Sequence, residues 1–100
     1  MVIKVEYIII AIGLAIHNFP EGLAIGAGFE SSNTLGLKLA IAIALHDIPE
    51  GISIALPLKA SGSSTLKAVL ITTLSGLTTG IGAFFGVIIG NFKACESKLF

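Results

Sequence analysis

The stretch Tyr7–Phe29, YIIIAIGLAIHNFPEGLAIGAGF, decides how this chain folds. Its 23 residues hold one acid, one histidine and no lysine or arginine. An α-helix rises ~1.5 Å per residue, so ~20 apolar residues cross a hydrocarbon core of ~30 Å. Two further runs of the same kind follow, about Leu35 to Leu58 and about Ala68 to Ile89. Period-two alternation is absent from all three, which excludes barrel strands. The apolar run at the N-terminus is too long for a cleavable signal and carries His17 and Glu21 in its middle.

Composition agrees. Hydrophobic residues make up 54% of the chain and charged residues 12%, with a mean hydropathy of +0.98. A soluble domain carries ~25% charged residues. Half that density cannot cover a water-facing surface. The expectation is an all-α integral membrane protein of three antiparallel transmembrane helices, about 7–29, 35–58 and 68–89. The short polar links Glu30–Thr34 and Lys59–Thr65 force an up–down–up order. Lys4, Lys59 and Lys67 then fall on one membrane side and Lys38, Lys93 and Lys98 on the other, so the positive-inside rule gives no orientation. With net charge zero and no basic face, a nucleic-acid partner is excluded. Cys95 stands alone and forms no internal disulfide. Gly22 and Gly26, and the series Gly76, Gly80, Gly82, Gly86 and Gly90, read as packing positions, because small residues let helices approach closely in lipid.

One pattern occurs twice. His17-Asn18-Phe19-Pro20-Glu21-Gly22 lies inside the first run and His46-Asp47-Ile48-Pro49-Glu50-Gly51 inside the second, 29 residues later. Each histidine is roughly 15 Å into its segment, so antiparallel helices bring both motifs to one level near the membrane midplane. A carboxylate at a helix centre costs ~2.5–3.5 kcal/mol on insertion scales. Glu21, Asp47 and Glu50 therefore call for compensation, and neither motif holds a lysine or arginine. A bound cation or captured protons remain.

Spacing favours the cation. His17 with Glu21, and His46 with Glu50, are i, i+4 pairs on one helix face. Asn18 and Asp47 stand three residues before the same glutamates, on the adjoining stripe. Two such helices face to face could form two adjacent cation positions bridged by the glutamates. Imidazole with carboxylate suits zinc and neighbouring first-row metals better than calcium or magnesium. With neutral imidazoles the cluster carries −3, so one divalent ion leaves −1 and two leave +1. Pro20 and Pro49 lack an N–H and free the carbonyls of Ile16 and Leu45. Freed carbonyls are tolerated at membrane depth where they line a cavity. A metalloenzyme is disfavoured, since neither His-Glu-x-x-His nor Glu-x-x-His occurs.

The paired motif resembles the signature of the ZIP (ZRT/IRT-like) metal transporters, close to the bacterial zinc-uptake branch. Members have eight transmembrane helices, and the resemblance implies that residues 7–91 are the fourth, fifth and sixth. Residues 1–100 would then be a partial ZIP-type bundle, lacking the first three helices and the last two. It further implies a two-metal site of His17, Asn18, Glu21, His46, Asp47 and Glu50, with bridging glutamates. Residues 1–6 and 59–67 would be cytoplasmic, and 30–34 and the C-terminal tail outside. Many members have an acid in the sixth helix where this chain has Thr79, a poorer cation ligand.

The expected function is transport of a divalent metal, zinc first, with iron, manganese or cadmium as further candidates, in a multi-pass protein of the cell membrane. The alternative is a metal-binding or assembly fragment that does not transport. The expected partners are metal ions, the lipid bilayer, and other transmembrane helices or a second copy. Detergent-purified protein should carry zinc that a Glu21→Ala, Glu50→Ala double variant loses. Equal zinc in the two preparations, measured by elemental analysis, defeats the ligand assignment.

Overall fold

The computed structural model describes residues 5–99. Lys4, counted above toward the charge balance, lies outside them. Three helices make up the fold: α1 (Val5–Ser31), α2 (Asn33–Ala60) and α3 (Thr65–Leu99). All three are long and apolar enough to cross a membrane, and there is no strand among the described residues. Each expected apolar run lies within one helix. α3 continues well past Ile89, giving the molecule its longest dimension of 58 Å against 21 and 17 Å.

The first link is shorter than the polar residues Glu30–Thr34 suggest. Only Ser32 is non-helical, extended at φ −162° and ψ 148°. Its N–H donates to the Gly28 carbonyl at 2.9 Å, closing α1, and its hydroxyl accepts from the Leu35 N–H at 3.0 Å, opening α2. One serine thus satisfies orphan groups of both helices. Gly28 and Gly36 make the tight elbow possible: a Cβ on Gly28 would stand 3.3 Å from the Gly36 Cα, and one on Gly36 would enter the Phe29 ring.

The second link is a Schellman turn. Gly62 takes the left-handed conformation, φ 96°. Its N–H reaches the Lys59 carbonyl (3.1 Å) and the Ser63 N–H reaches the Leu58 carbonyl (3.1 Å). The Ser64 hydroxyl then accepts from the Lys67 N–H to start α3. Beneath this turn sits a small apolar cluster of Ile54, Leu58 and Ala68, with Tyr7, Leu14 and Ile71 packed on it.

Contacts along the helices fix the topology. Tyr7 and Leu14 meet the end of α2 while Gly28 meets its beginning, so α1 and α2 are antiparallel. Gly22 packs on Thr79 and Ala83, Gly26 on Ala83 and Val87, and Gly90 on Glu30, so α1 and α3 are parallel. This α1–α3 face is the most extensive of the three, and α2 touches α3 least.

Glycines make the α1–α3 face. Cβ atoms on Gly22, Gly26, Gly82 or Gly86 would run into backbone atoms of the opposite helix, which cannot step aside as a side chain can. The reading of the glycine series as packing is therefore met by Gly82, Gly86 and Gly90. It is not met by Gly76 and Gly80, which have no atom within 4 Å of an added Cβ. Gly80 and Gly82 are two residues, ~200° of helix, apart, so the two sets lie on opposite faces of α3. Gly22→Ala should destabilise the detergent-solubilised protein by about 1–3 kcal/mol through overpacking. Gly80→Ala should leave it unchanged or gain up to about 1 kcal/mol in helix propensity. Thermal unfolding followed by circular dichroism distinguishes the two.

Candidate metal centre

The two motifs lie near the middle of α1 and α2, and the antiparallel pairing sets them against each other. His17 Nε2 is 3.3 Å from Glu21 Oε1 on its own helix and 3.5 Å from Glu50 Oε1 across the seam. His46 Nε2 is 3.2 Å from Glu50 Oε1 and 3.6 Å from Glu21 Oε1. Each glutamate oxygen is thus shared by both imidazoles, and the two helices contribute near-equivalent halves. The four nitrogen–oxygen edges have a definite chemical meaning. Zinc bonds to nitrogen and oxygen at ~2.0–2.2 Å; ligand atoms at the corners of a tetrahedron of that radius are ~3.3–3.6 Å apart. The four observed nitrogen–oxygen separations, 3.2 to 3.6 Å, fall in that range.

The remaining motif residues converge beside this group. Carboxylate oxygens of Glu21, Asp47 and Glu50 lie within 4.8 Å of one another, as do donor atoms of His17, Glu21 and His46. Asn18, only 5% exposed, donates from Nδ2 to the Ser75 carbonyl of α3 at 3.2 Å. Asn18 Oδ1, Glu21 Oε2, Asp47 Oδ1 and Glu50 Oε2 are buried and have no hydrogen-bond partner. Buried polar atoms are normally paired, and an unsatisfied one costs ~1–3 kcal/mol. Four such acceptors lie in one cluster.

All six residues singled out by the motif are therefore assembled. Helical continuity through Pro20 and Pro49 carries each histidine and its glutamate on one face. What sequence reasoning missed is the wall that α3 supplies. A cavity of about 110 Å³ is lined by Asn18, Asp47 and Glu50 together with Thr72 and Ser75. The signal was available in the polar spacing of Thr72, Ser75 and Thr79 along an apolar run. Thr78 also binds α1, donating to the Ala15 carbonyl at 2.7 Å beside the proline-bearing turn. Thr79 has its backbone against Gly22 and a buried hydroxyl without a partner.

The histidine side of the cluster is open. Side chains of His17 and His46 are 54% and 55% exposed, against 18% and 19% for Glu21 and Glu50. Large apolar neighbours on the same helices, such as Ile16, Leu45 and Ile48, are exposed too.

A family model described as ZIP zinc transporter matches residues 1–98. Searches of curated proteins and of solved structures find no match.

Crowded carboxylates without a counter-charge should strain the metal-free protein. Glu21→Gln or Glu50→Gln, which keep the shape and add a donor, should raise metal-free stability by about 1–3 kcal/mol. The same changes should abolish stabilisation by added zinc. Unfolding midpoints with chelator and with zinc check both expectations, and a metal-free wild type more stable than both variants counts against them.

Proposed function

The chain belongs to the ZIP zinc transporter family, a family of divalent-metal transporters rather than enzymes, and on that premise we propose that it forms a metal-carrying core for zinc at the midplane of the cell membrane. His17, Asn18, Glu21, His46, Asp47 and Glu50 are the proposed ligands. The observation that carries this reading is the convergence of two imidazoles and two glutamates from two antiparallel helices, with four nitrogen–oxygen separations of 3.2 to 3.6 Å. Iron, manganese and cadmium are further substrates of the same donor set. We further propose that the chain corresponds to the fourth, fifth and sixth helices of the bacterial zinc-uptake branch.

The ligands come equally from α1 and α2, so an ion at the seam ties the two helices together. Loading and release then require the helices around the site to rock, exposing it to one face of the membrane at a time, as carriers with midplane sites do. Pro20 and Pro49 suit such a role. Each frees a carbonyl beside the ligands, which lowers the cost of local bending.

A second reading has its own support. The half-exposed imidazoles and the exposed Ile16, Leu45 and Ile48 around them leave a face that further transmembrane helices or a second copy would cover. On that reading the chain binds metal and assembles with other helices, and does not transport alone.

Uptake of radioactive zinc into proteoliposomes holding this chain separates the two. Zinc-dependent uptake above empty liposomes, lowered at least tenfold by His46→Ala, is the expected result. Zinc binding without uptake selects the assembly reading. Uptake unaffected by His46→Ala rejects the ligand assignment.

A further inference from the structure

Hydroxyl groups along α3 differ in what they bind. The Thr72 hydroxyl donates to the Ala68 carbonyl at 2.8 Å, and the Ser75 hydroxyl to the Thr72 carbonyl at 2.9 Å. Such bonds to the preceding turn are the ordinary habit of serine and threonine in a helix. Thr78 has a partner of the same kind, the Ser75 carbonyl at 2.9 Å. It also stands 2.7 Å from the Ala15 carbonyl of α1. A hydroxyl has one proton, so the two carbonyls compete for it.

The Ser75 carbonyl is already occupied. Buried Asn18 donates to it from Nδ2 at 3.2 Å. The unbroken helix Thr65–Leu99 directs the Thr79 N–H at the same oxygen. A carbonyl has two lone pairs, and these two donors fill them. The Thr78 proton is left to Ala15, at the shorter of its two distances. There it meets the weak turn of α1. Pro20 has no N–H to give the Ile16 carbonyl, so helix bonding lapses one residue beyond Ala15. His17 lies in this turn. Its half-exposed side chain has polar contacts with Glu21 and Glu50, so the backbone beneath it must fix where the imidazole stands.

We propose that Thr78 is a positioning residue for the metal site: its hydroxyl proton, displaced from the Ser75 carbonyl by Asn18, ties the Ala15 carbonyl to α3 and so sets the turn that carries His17. The inference rests on the reading of the motif cluster as a metal site. Asn18 and Thr78 then work as an exchange. With Asn18 in place, the Thr78 proton lies between the helices. With Asn18 withdrawn, the Ser75 carbonyl is free and the proton returns to its own helix, as those of Thr72 and Ser75 do. Losing Asn18 therefore loosens two interhelical bonds. Within an apolar bundle no water stands ready to replace the lost donor, so the Ala15 contact lasts only while the exchange is set toward α1.

The test follows the Ala15 carbonyl carbon by nuclear magnetic resonance of the metal-free, carbon-13-labelled full chain in detergent. A hydrogen bond moves such a resonance downfield. Thr78→Val, which removes the hydroxyl and keeps the shape, should move it upfield, and Thr78→Ser should leave it in place. Asn18→Leu should move it the same way as Thr78→Val, and the double variant should add nothing to Thr78→Val alone. Zinc should bind Thr78→Val about three- to tenfold more weakly, the range of one interhelical hydrogen bond, and Thr78→Ser as wild type. The cobalt(II) absorption spectrum should change in Thr78→Val. It should stay unchanged in Gly86→Ala, which crowds the same helix face and costs stability alone. An Ala15 resonance indifferent to Thr78→Val, or additive shifts from Asn18 and Thr78, overturn the inference. So does wild-type zinc affinity in Thr78→Val. Should that variant not fold, Asn18→Leu carries the same carbonyl readout. A wild type that binds neither zinc nor cobalt fails the metal-site reading instead, while the Ala15 readings still decide where the proton lies.

Discussion

A cluster of oxygen acceptors with too few donors, at the seam of two apolar helices, is the constraint on which the rest of the structure depends. Glu21, Asp47, Glu50 and Asn18 all present buried oxygens with no hydrogen-bond partner. In water such oxygens would be solvated. Inside a helix bundle each leaves a cost of ~1–3 kcal/mol unless something positive arrives. The two histidines answer part of it through Nε2, and each faces both glutamates at once. The chain has folded around a deficit of positive charge, which a transported cation is suited to fill.

The rest of the fold holds that deficit in place. The α1–α3 face is a backbone-to-backbone contact at Gly22, Gly26, Gly82 and Gly86, so it tolerates little sliding. Two interhelical hydrogen bonds, Asn18 to Ser75 and Thr78 to Ala15, pin the same face at the level of the site. α2 is attached differently. It is joined to α1 through the one-residue elbow at Ser32 and to α3 through the apolar cluster around Leu58. At the level of the motifs, its polar contacts with α1 are the histidine–glutamate pairs. Packing fixes α1 on α3; electrostatics governs how α2 meets α1.

Much of this was legible in the sequence because the bilayer restricts the possibilities. Three apolar runs of spanning length dictate three helices, and short links dictate their alternating direction. Period then places His17 with Glu21 and His46 with Glu50, and equal depth brings the pairs to one level. Chain continuity hid other features. The residues Glu30–Thr34 look like a polar loop, yet helix hydrogen bonding runs through Ser31 and resumes at Asn33, because Ser32 caps both ends. The glycines of α3 look like one series, but Gly80 and Gly82 are two residues, ~200° of helix, apart, so Gly82, Gly86 and Gly90 share the α1 face and Gly76 and Gly80 lie on another. Sequence motifs mark side chains. They do not mark a backbone carbonyl such as that of Ser75, which accepts from Asn18 Nδ2.

The repetition of the motif has a consequence that neither copy has alone. On antiparallel helices, two copies of one sequence pattern are related by a near two-fold rotation in the membrane plane. The matched distances, 3.3 and 3.2 Å within a helix and 3.5 and 3.6 Å across, follow from that relation. A cation bound there is held equally by both helices and belongs to neither, so its free energy of binding is a free energy of helix association. The symmetry is broken only by what differs between the copies and by α3. Asn18 stands opposite Asp47, and α3 lies chiefly against α1. On one side α3 adds Thr72 and Ser75 to the wall of a cavity that Asn18, Asp47 and Glu50 share with apolar neighbours, and the imidazoles lie outside it.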